Sequence, residues 1–175
     1  HYTYHAGGAI IWDSTPEDEW NETLVKTKFL QTDFQLIETA VDDWASHVER
    51  MKNSAQALGF KWNKEIEKLG TILDTNDILG QKLRVTLTKN GNFEHEVRKI
   101  IPDKSDKKLI RLEGKIDSRN PFLYHKTTVR EAMPKDVFEH IRMNEKNEIT
   151  EGIFTNIAIE KDGQLFTPPI SCGLL

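Results

Sequence analysis

This sequence of 175 residues has a single cysteine, Cys172, so no disulfide can form within the chain. That usage fits the cytosol, where thiols stay reduced, and a cytoplasmic location is expected. No apolar run is long enough to span a bilayer, and no secretory pattern is visible, so a membrane is not an expected partner. Basic charge is not in excess: 24 Lys and Arg stand against 28 Asp and Glu, interspersed, for a formal net charge of -4. Without a basic stripe, nucleic acid is not an expected partner either. Internal repeats and low-complexity stretches are also missing. What is present is 37% hydrophobic and 30% charged residues, the balance of a globular chain rather than a disordered one. The length suits one ordinary domain, or a small domain with part of another.

Residues 6–12, AGGAIIW, read as a glycine turn entering a short strand. A helix start follows, with Ser14 or Thr15 as cap, Pro16 in the first turn, and Glu17, Asp18 and Glu19 favouring the positive helix end. Phe34, Leu36 and Thr39 approach alternation and predict a strand. Trp44, Val48, Met51, Ala55 and Leu58 form a helical stripe that Gly59 stops. Trp62, Ile66, Leu69 and Leu73 predict a second helix. The period then changes to two. Leu83, Val85 and Leu87 alternate with polar residues, Asn90-Gly91 turns the chain, and Phe93, His95 and Val97 return it. With a further strand in KKLIRLEGKI, residues 32–117 read as two helices against a small antiparallel sheet, an α+β unit. Beyond Asn120, VFEHIRM and IFTNIAIE read as strands, and Asp162-Gly163 as a hairpin turn into QLFT.

Taken one at a time, the chemically able residues have ordinary readings. A lysine such as Lys126, inside FLYHKTTVR, is usually a solvated charge. His47 and Arg50, three apart, read as a boundary pair beside an apolar helix stripe. Glu19 and Glu22 share a helix face and could hold a divalent cation, but acidic residues near a helix start also complement its dipole. Glu151, before Gly152, is an unremarkable turn glutamate.

Their order along the chain says more. HVERM at 47–51, HKTTVR at 125–130, EITEGIFTN at 148–156 and DGQLFTPPIS at 162–171 together resemble the class IV aminotransferase family, pyridoxal-phosphate enzymes of fold type IV that include aminodeoxychorismate lyase. The resemblance covers about residues 32–175. The opening stretch resembles something else. Gly7, Gly8, Ile10, Asp13, Ser14, Pro16, Glu19, Glu22 and Thr23 match the C-terminal tail of chorismate-utilising synthases. A synthase tail followed by a class IV unit is the layout of fused para-aminobenzoate synthases.

That resemblance implies a division into 1–30 (synthase tail), 31–118 (small domain) and 119–175 (start of a β-rich large domain, truncated). It implies that Lys126 forms a Schiff base with pyridoxal phosphate, and burial beside Phe122, Leu123 and Tyr124 would make the amine a better nucleophile. It implies that Arg50 clamps the phosphate and Glu151 pairs with the pyridine nitrogen. Asn156 would orient the cofactor, with Thr155 and Thr127 in support. The implied reaction converts the small molecule 4-amino-4-deoxychorismate to para-aminobenzoate and pyruvate. An amino-acid transaminase and a non-catalytic remnant stay open beside it. Magnesium at Glu19 and Glu22 would require the complete synthase domain. A glutamine amidotransferase would partner that synthase, and a homodimer is the expected assembly.

Overall fold

The computed structural model describes residues 15–16, 33–73, 80–101, 110–129 and 137–175. Backbone packing divides the chain after Phe34, and every element below belongs to the second unit, Gln35–Leu175. The expected tail helix and its Glu19 and Glu22 lie outside the described residues.

Strand β1 (Leu36–Ala40) leads into helix α1 (Trp44–Leu58), whose start and stop are both chemical. Asp43 caps the N-terminus by accepting from the Ser46 amide, and Gly59 ends the helix at φ 71°, a left-handed conformation that costs glycine little. The second expected helix is tighter than predicted. Lys64–Leu69 is a 3-10 segment, continued by one α-helical turn, α2 (Gly70–Leu73). Asn63 explains the tightening: its side chain accepts from the Glu65 amide and its carbonyl from the Ile66 amide at 3.2 Å. Of the predicted stripe, only Ile66 is fully buried. It lies under α1, where the Trp44 indole Nε1 donates to its carbonyl at 3.1 Å.

Strands β2 (Gln81–Leu87) and β3 (Phe93–Lys99) complete an antiparallel sheet in the order β1-β2-β3. Leu36 pairs with Leu87, Glu38 with Val85 and Ala40 with Leu83, so these six residues share one face of the sheet. That face is the core: Leu36, Ala40, Leu83, Val85 and Leu87 are all buried, with Met51 of α1 packed among the buried apolar residues. Each such large side chain contributes roughly 1.5–3 kcal/mol by burial. Glu38 sits in the middle of this apolar face and is itself only 1% exposed. The outer strand β3 is exposed beyond Phe93 and carries Glu94, Glu96, Arg98 and Lys99, charges that discourage pairing with another chain at its edge.

A second sheet is mixed rather than antiparallel. Strand β4 (Ile110–Ile116) does not join β1–β3 as the sequence suggested; it pairs parallel with β5 (Glu139–Asn144), which pairs antiparallel with β6 (Ile149–Gly152). Parallel neighbours need a long crossover, and residues 117–138 supply it. Part of that crossover visits the first sheet: Ile37 N donates to Lys126 O and Thr128 N to Gln35 O, both at 2.9 Å, with Thr127 bridged to Leu36. The crossover thereby fixes Lys126 against β1. The stretch 153–158, expected as strand, is a turn and irregular chain, because Gly152 N donates back to Thr155 O at 2.8 Å. Strand then resumes as β7 (Ile159–Lys161) and β8 (Gln164–Phe166), turned at Asp162 (φ 53°) and Gly163 (φ 74°) as their sequence predicts. The architecture is α+β. Among the described residues, no helix is long and apolar enough to cross a membrane.

Candidate functional site

The buried Glu38 organises one wall of a cleft. Its carboxylate accepts from Arg50 Nε at 2.7 Å and from Arg50 Nη2 at 2.6 Å, a bidentate pair. His47 Nδ1 lies 2.8 Å from Glu38 Oε2, and Lys126 Nζ lies 3.8 Å from the same oxygen. Three basic side chains thus surround one carboxylate, brought there by one turn of α1 and by the crossover bridge.

Burial alone would push the Glu38 carboxyl up. Hydrogen bonds from Arg50 and His47, with the charges of Arg50 and Lys126, outweigh that and hold it below the usual carboxylate value. Arg50 is raised in turn, chiefly by its hydrogen bonds to Glu38. An ionised Glu38 can only accept, so the His47 proton is assigned to Nδ1. The 3.1 Å approach of Arg50 Nη2 to that nitrogen is then a contact and not a second hydrogen bond. Two of the five N–H groups of Arg50 are spent on Glu38, and the side chain is 38% exposed.

The facing wall comes from β6 and the turn after it. A cleft of about 260 Å³ is lined by His47, Arg50, Lys126, Leu175 and the run from Glu151 to Asn156. All five residues expected to meet a cofactor, Arg50, Lys126, Glu151, Thr155 and Asn156, therefore line one space. Glu151 Oε1 accepts from Leu175 N at 3.2 Å, which orients that carboxylate. Thr127 supports from behind, buried on the bridge to Leu36. Among the described residues, no cluster of three or more His, Cys, Asp or Glu could hold a metal. A larger recess of about 370 Å³ shares Arg50 and is lined by Ser46, Glu49, Asn53, Ser54, Tyr124 and His125. It contains none of Lys126, Glu151 or Asn156, so the chemistry converges on the smaller cleft.

The donor set suits pyridoxal phosphate: an amine for an aldehyde, a guanidinium for a phosphate and a carboxylate for a ring nitrogen, on one cleft. Two residues here were not singled out from sequence. Glu38 and Glu139 are both carboxylates on strands, each almost wholly buried. For Glu38 the available signal was an acidic residue on the same alternate positions as Leu36 and Ala40, since a charge on a core face demands partners.

Comparison with known proteins gives the family and the fold. Residues 38–175 match the amino-transferase class IV family model, and residues 1–32 match that of the chorismate binding enzymes. A curated protein of Schizosaccharomyces pombe, named "Putative aminodeoxychorismate lyase", is 27% identical over 146 residues, 74% of this chain. This chain spans 62% of that relative's length. A crystal structure from Mesorhizobium loti, described as a "Putative amino-acid aminotransferase", is 33% identical, with TM-score 0.65 over 81% of this chain and 78% of that one. One from Legionella pneumophila, described as a "Putative 4-amino-4-deoxychorismate lyase", shares the fold at 20% identity, with TM-score 0.64 over 85% of this chain and 66% of that one.

Proposed function

Because the chain belongs to the amino-transferase class IV family, with a chorismate-binding fragment at its N-terminus, we propose that it serves para-aminobenzoate formation as a lyase-type pyridoxal-phosphate unit. The step proposed is conversion of 4-amino-4-deoxychorismate to para-aminobenzoate and pyruvate. The observation that carries the reading is the meeting of Lys126, Arg50 and Glu151 on one cleft, in a chain that also carries the chorismate-binding match.

On this reading Lys126 Nζ would hold the cofactor, Arg50 would hold its phosphate with the N–H groups not given to Glu38, and Glu151 would pair with its ring nitrogen. Asn156 and Thr155 flank it. When bound, pyridoxal phosphate supplies a sink for the electrons of a developing carbanion. The protein's own part is to position and to move protons. Lys126, once released from the cofactor, would take and return a proton at Nζ, with Glu38 3.8 Å away to balance its charge. His47, its Nδ1 against Glu38, lines the same cleft. Residues 1–30 are then the synthase tail, 31–118 the small domain and 119–175 the start of the cofactor-binding domain. The parent protein would act on a small molecule, form a homodimer, draw ammonia from a glutamine amidotransferase partner, and use magnesium at Glu19 and Glu22 within a complete synthase domain.

A transaminase reading has one specific support, the aminotransferase description of the 33% identical Mesorhizobium loti structure. Both readings are tested together. The chain is incubated with pyridoxal phosphate, reduced with borohydride, and the labelled peptide is mapped by mass spectrometry. A single label on Lys126 is expected. Scattered or absent labelling would overturn both readings and leave the non-catalytic remnant. Pyruvate release from aminodeoxychorismate, without amino transfer from an amino acid to 2-oxoglutarate, selects the lyase.

A further inference from the structure

We infer that Glu139 is a positioning residue: its carboxylate is the anchor that shapes the Glu151–Asn156 wall of the cleft. The inference rests on that wall being the cofactor wall, as proposed above.

Glu139 opens β5 and is 2% exposed. Its Oε1 accepts from the amides of His140 at 2.8 Å and Ile153 at 2.9 Å. Its Oε2 accepts from the Phe154 amide at 3.1 Å and the Thr155 hydroxyl at 2.8 Å. Three of these four donors belong to the turn that lines the cleft. A buried carboxylate with four donors is ionised and rigid. Burial pushes its pKa up, but the bonds from His140, Thr155, Phe154 and Ile153 bring it below the ordinary value.

The glycine beside it fits this role. A Cβ on Gly152 would stand 2.5 Å from Glu139 Cδ and 2.6 Å from its Cγ and Oε2. Gly152 is therefore required for space and not for an unusual φ. It lets the carboxylate sit directly under the backbone between Glu151 and the turn.

The arrangement also decides what the wall can offer a ligand. The Ile153 and Phe154 amides are committed to Glu139, and the Gly152 amide to Thr155 O. The Thr155 hydroxyl has one proton and gives it to Glu139, so toward the cleft it has only lone pairs. Thr155 thus receives hydrogen bonds from a bound molecule and does not donate to an anion. Those four donors are therefore not offered to an anion, whereas Arg50, Lys126 and His47 bring basic side chains to the same cleft.

The test is Glu139→Gln in the full chain. Glutamine keeps the shape but replaces one acceptor oxygen with a donor, so two of the four bonds cannot form. Three quantities are read: amide hydrogen exchange residue by residue, the visible-absorbance titration with pyridoxal phosphate, and the far-ultraviolet spectrum as a check on folding. Exchange at Ile153 and Phe154 is expected to speed at least about tenfold, and affinity for pyridoxal phosphate to fall about tenfold, with β2 exchange unchanged. If Glu139→Gln does not fold, Thr155→Val decides, because it removes one donor without stranding a charge. Exchange across 154–156 should then speed. Exchange at 153–156 within twofold of wild type, in the folded variant that decides, would overturn the role of Glu139. If the wild-type chain itself takes up no pyridoxal phosphate, the cofactor reading fails, while the exchange data still judge Glu139.

Discussion

Glu38→Gln is the sharpest perturbation of the cleft, because the substitution changes charge and hardly changes volume. Wild-type Glu38 accepts three hydrogen bonds, two from Arg50 and one from His47, from a position only 1% exposed. Glutamine offers one acceptor oxygen and sets an NH₂ group against at least one N–H donor. A hydrogen bond to a charged group is worth about 1.5–3 kcal/mol, and a buried donor facing a donor adds a penalty. Two facts reduce the total: the side chains of Arg50 and His47 are 38% and 21% exposed, so water takes over part of what Glu38 gave them. Discounting for that, the loss should be about 2–3 kcal/mol at neutral pH. For a chain of this size that lowers the unfolding midpoint by roughly 5–10 °C. Dependence on pH identifies the cause. The folded pKa of Glu38 is depressed, so its contribution is fully present above the unfolded carboxylate value and is lost as pH falls through the folded one. The wild-type and Glu38→Gln stability curves, from urea unfolding at a series of pH values, should stand apart at pH 7 and converge in acid. A gap below about 0.5 kcal/mol at pH 7, or one that does not shrink on acidification, would refute the reasoning.

Two further outcomes follow from the second sheet. Asn144 is fully buried: its Oδ1 accepts from the Lys146 and Glu148 amides at 2.9 and 3.0 Å, and its Nδ2 donates to Glu148 at 2.7 Å. Asn144→Ala should lower the urea midpoint by an amount equivalent to about 2–3 kcal/mol, and an unchanged midpoint would show that the β5–β6 turn holds without it. Cys172 is buried, and burial, followed by the hydrogen bond and charge of Glu148, pushes its thiol pKa up. In native buffer it should react with a disulfide reagent at least about tenfold slower than free cysteine and recover the free rate in denaturant. Reaction at the free rate without denaturant would show that the site is open.

Local structure was legible from the residues themselves, and the resemblance pointed to the cleft residues, but strand pairing and the buried carboxylates were not legible. The limits of α1 follow from an apolar stripe and a terminal glycine, and the Asp162-Gly163 hairpin from residues that accept a left-handed backbone. Both depend on neighbours a few positions away. The partner of β4 depends on whether a strand 29 residues further on arrives parallel, and nothing within the strand encodes that. The predicted helix at 64–73 tightened because Asn63, just before it, competes for the first amides; the apolar spacing was read and the cap was not. Thr155 shows the same division. Its place on the cleft was expected, but the direction of its hydroxyl is set by Glu139, 16 residues earlier.

The two residues missed from sequence both bond to residues that line the cleft. A site for a charged cofactor needs cations and polar backbone held in place before the ligand arrives, and unsupported groups of that kind would move with the solvent. Each wall solves this with one buried carboxylate. Glu38 gathers side chains, those of Arg50 and His47, with Lys126 beside it. Glu139 gathers backbone, the amides of Ile153 and Phe154, together with one hydroxyl. The difference suits what each wall holds. Long flexible side chains lose their freedom most cheaply in a bidentate, charge-assisted pair. A turn with no ladder hydrogen bonds of its own needs an acceptor for its amides, and a carboxylate can serve several at once. A burial that would be costly for either acid alone is offset at both by three or more hydrogen bonds. Of the residues that resemble a family's working parts, Glu38 therefore holds Arg50 with Lys126 beside it, and Glu139 holds Thr155.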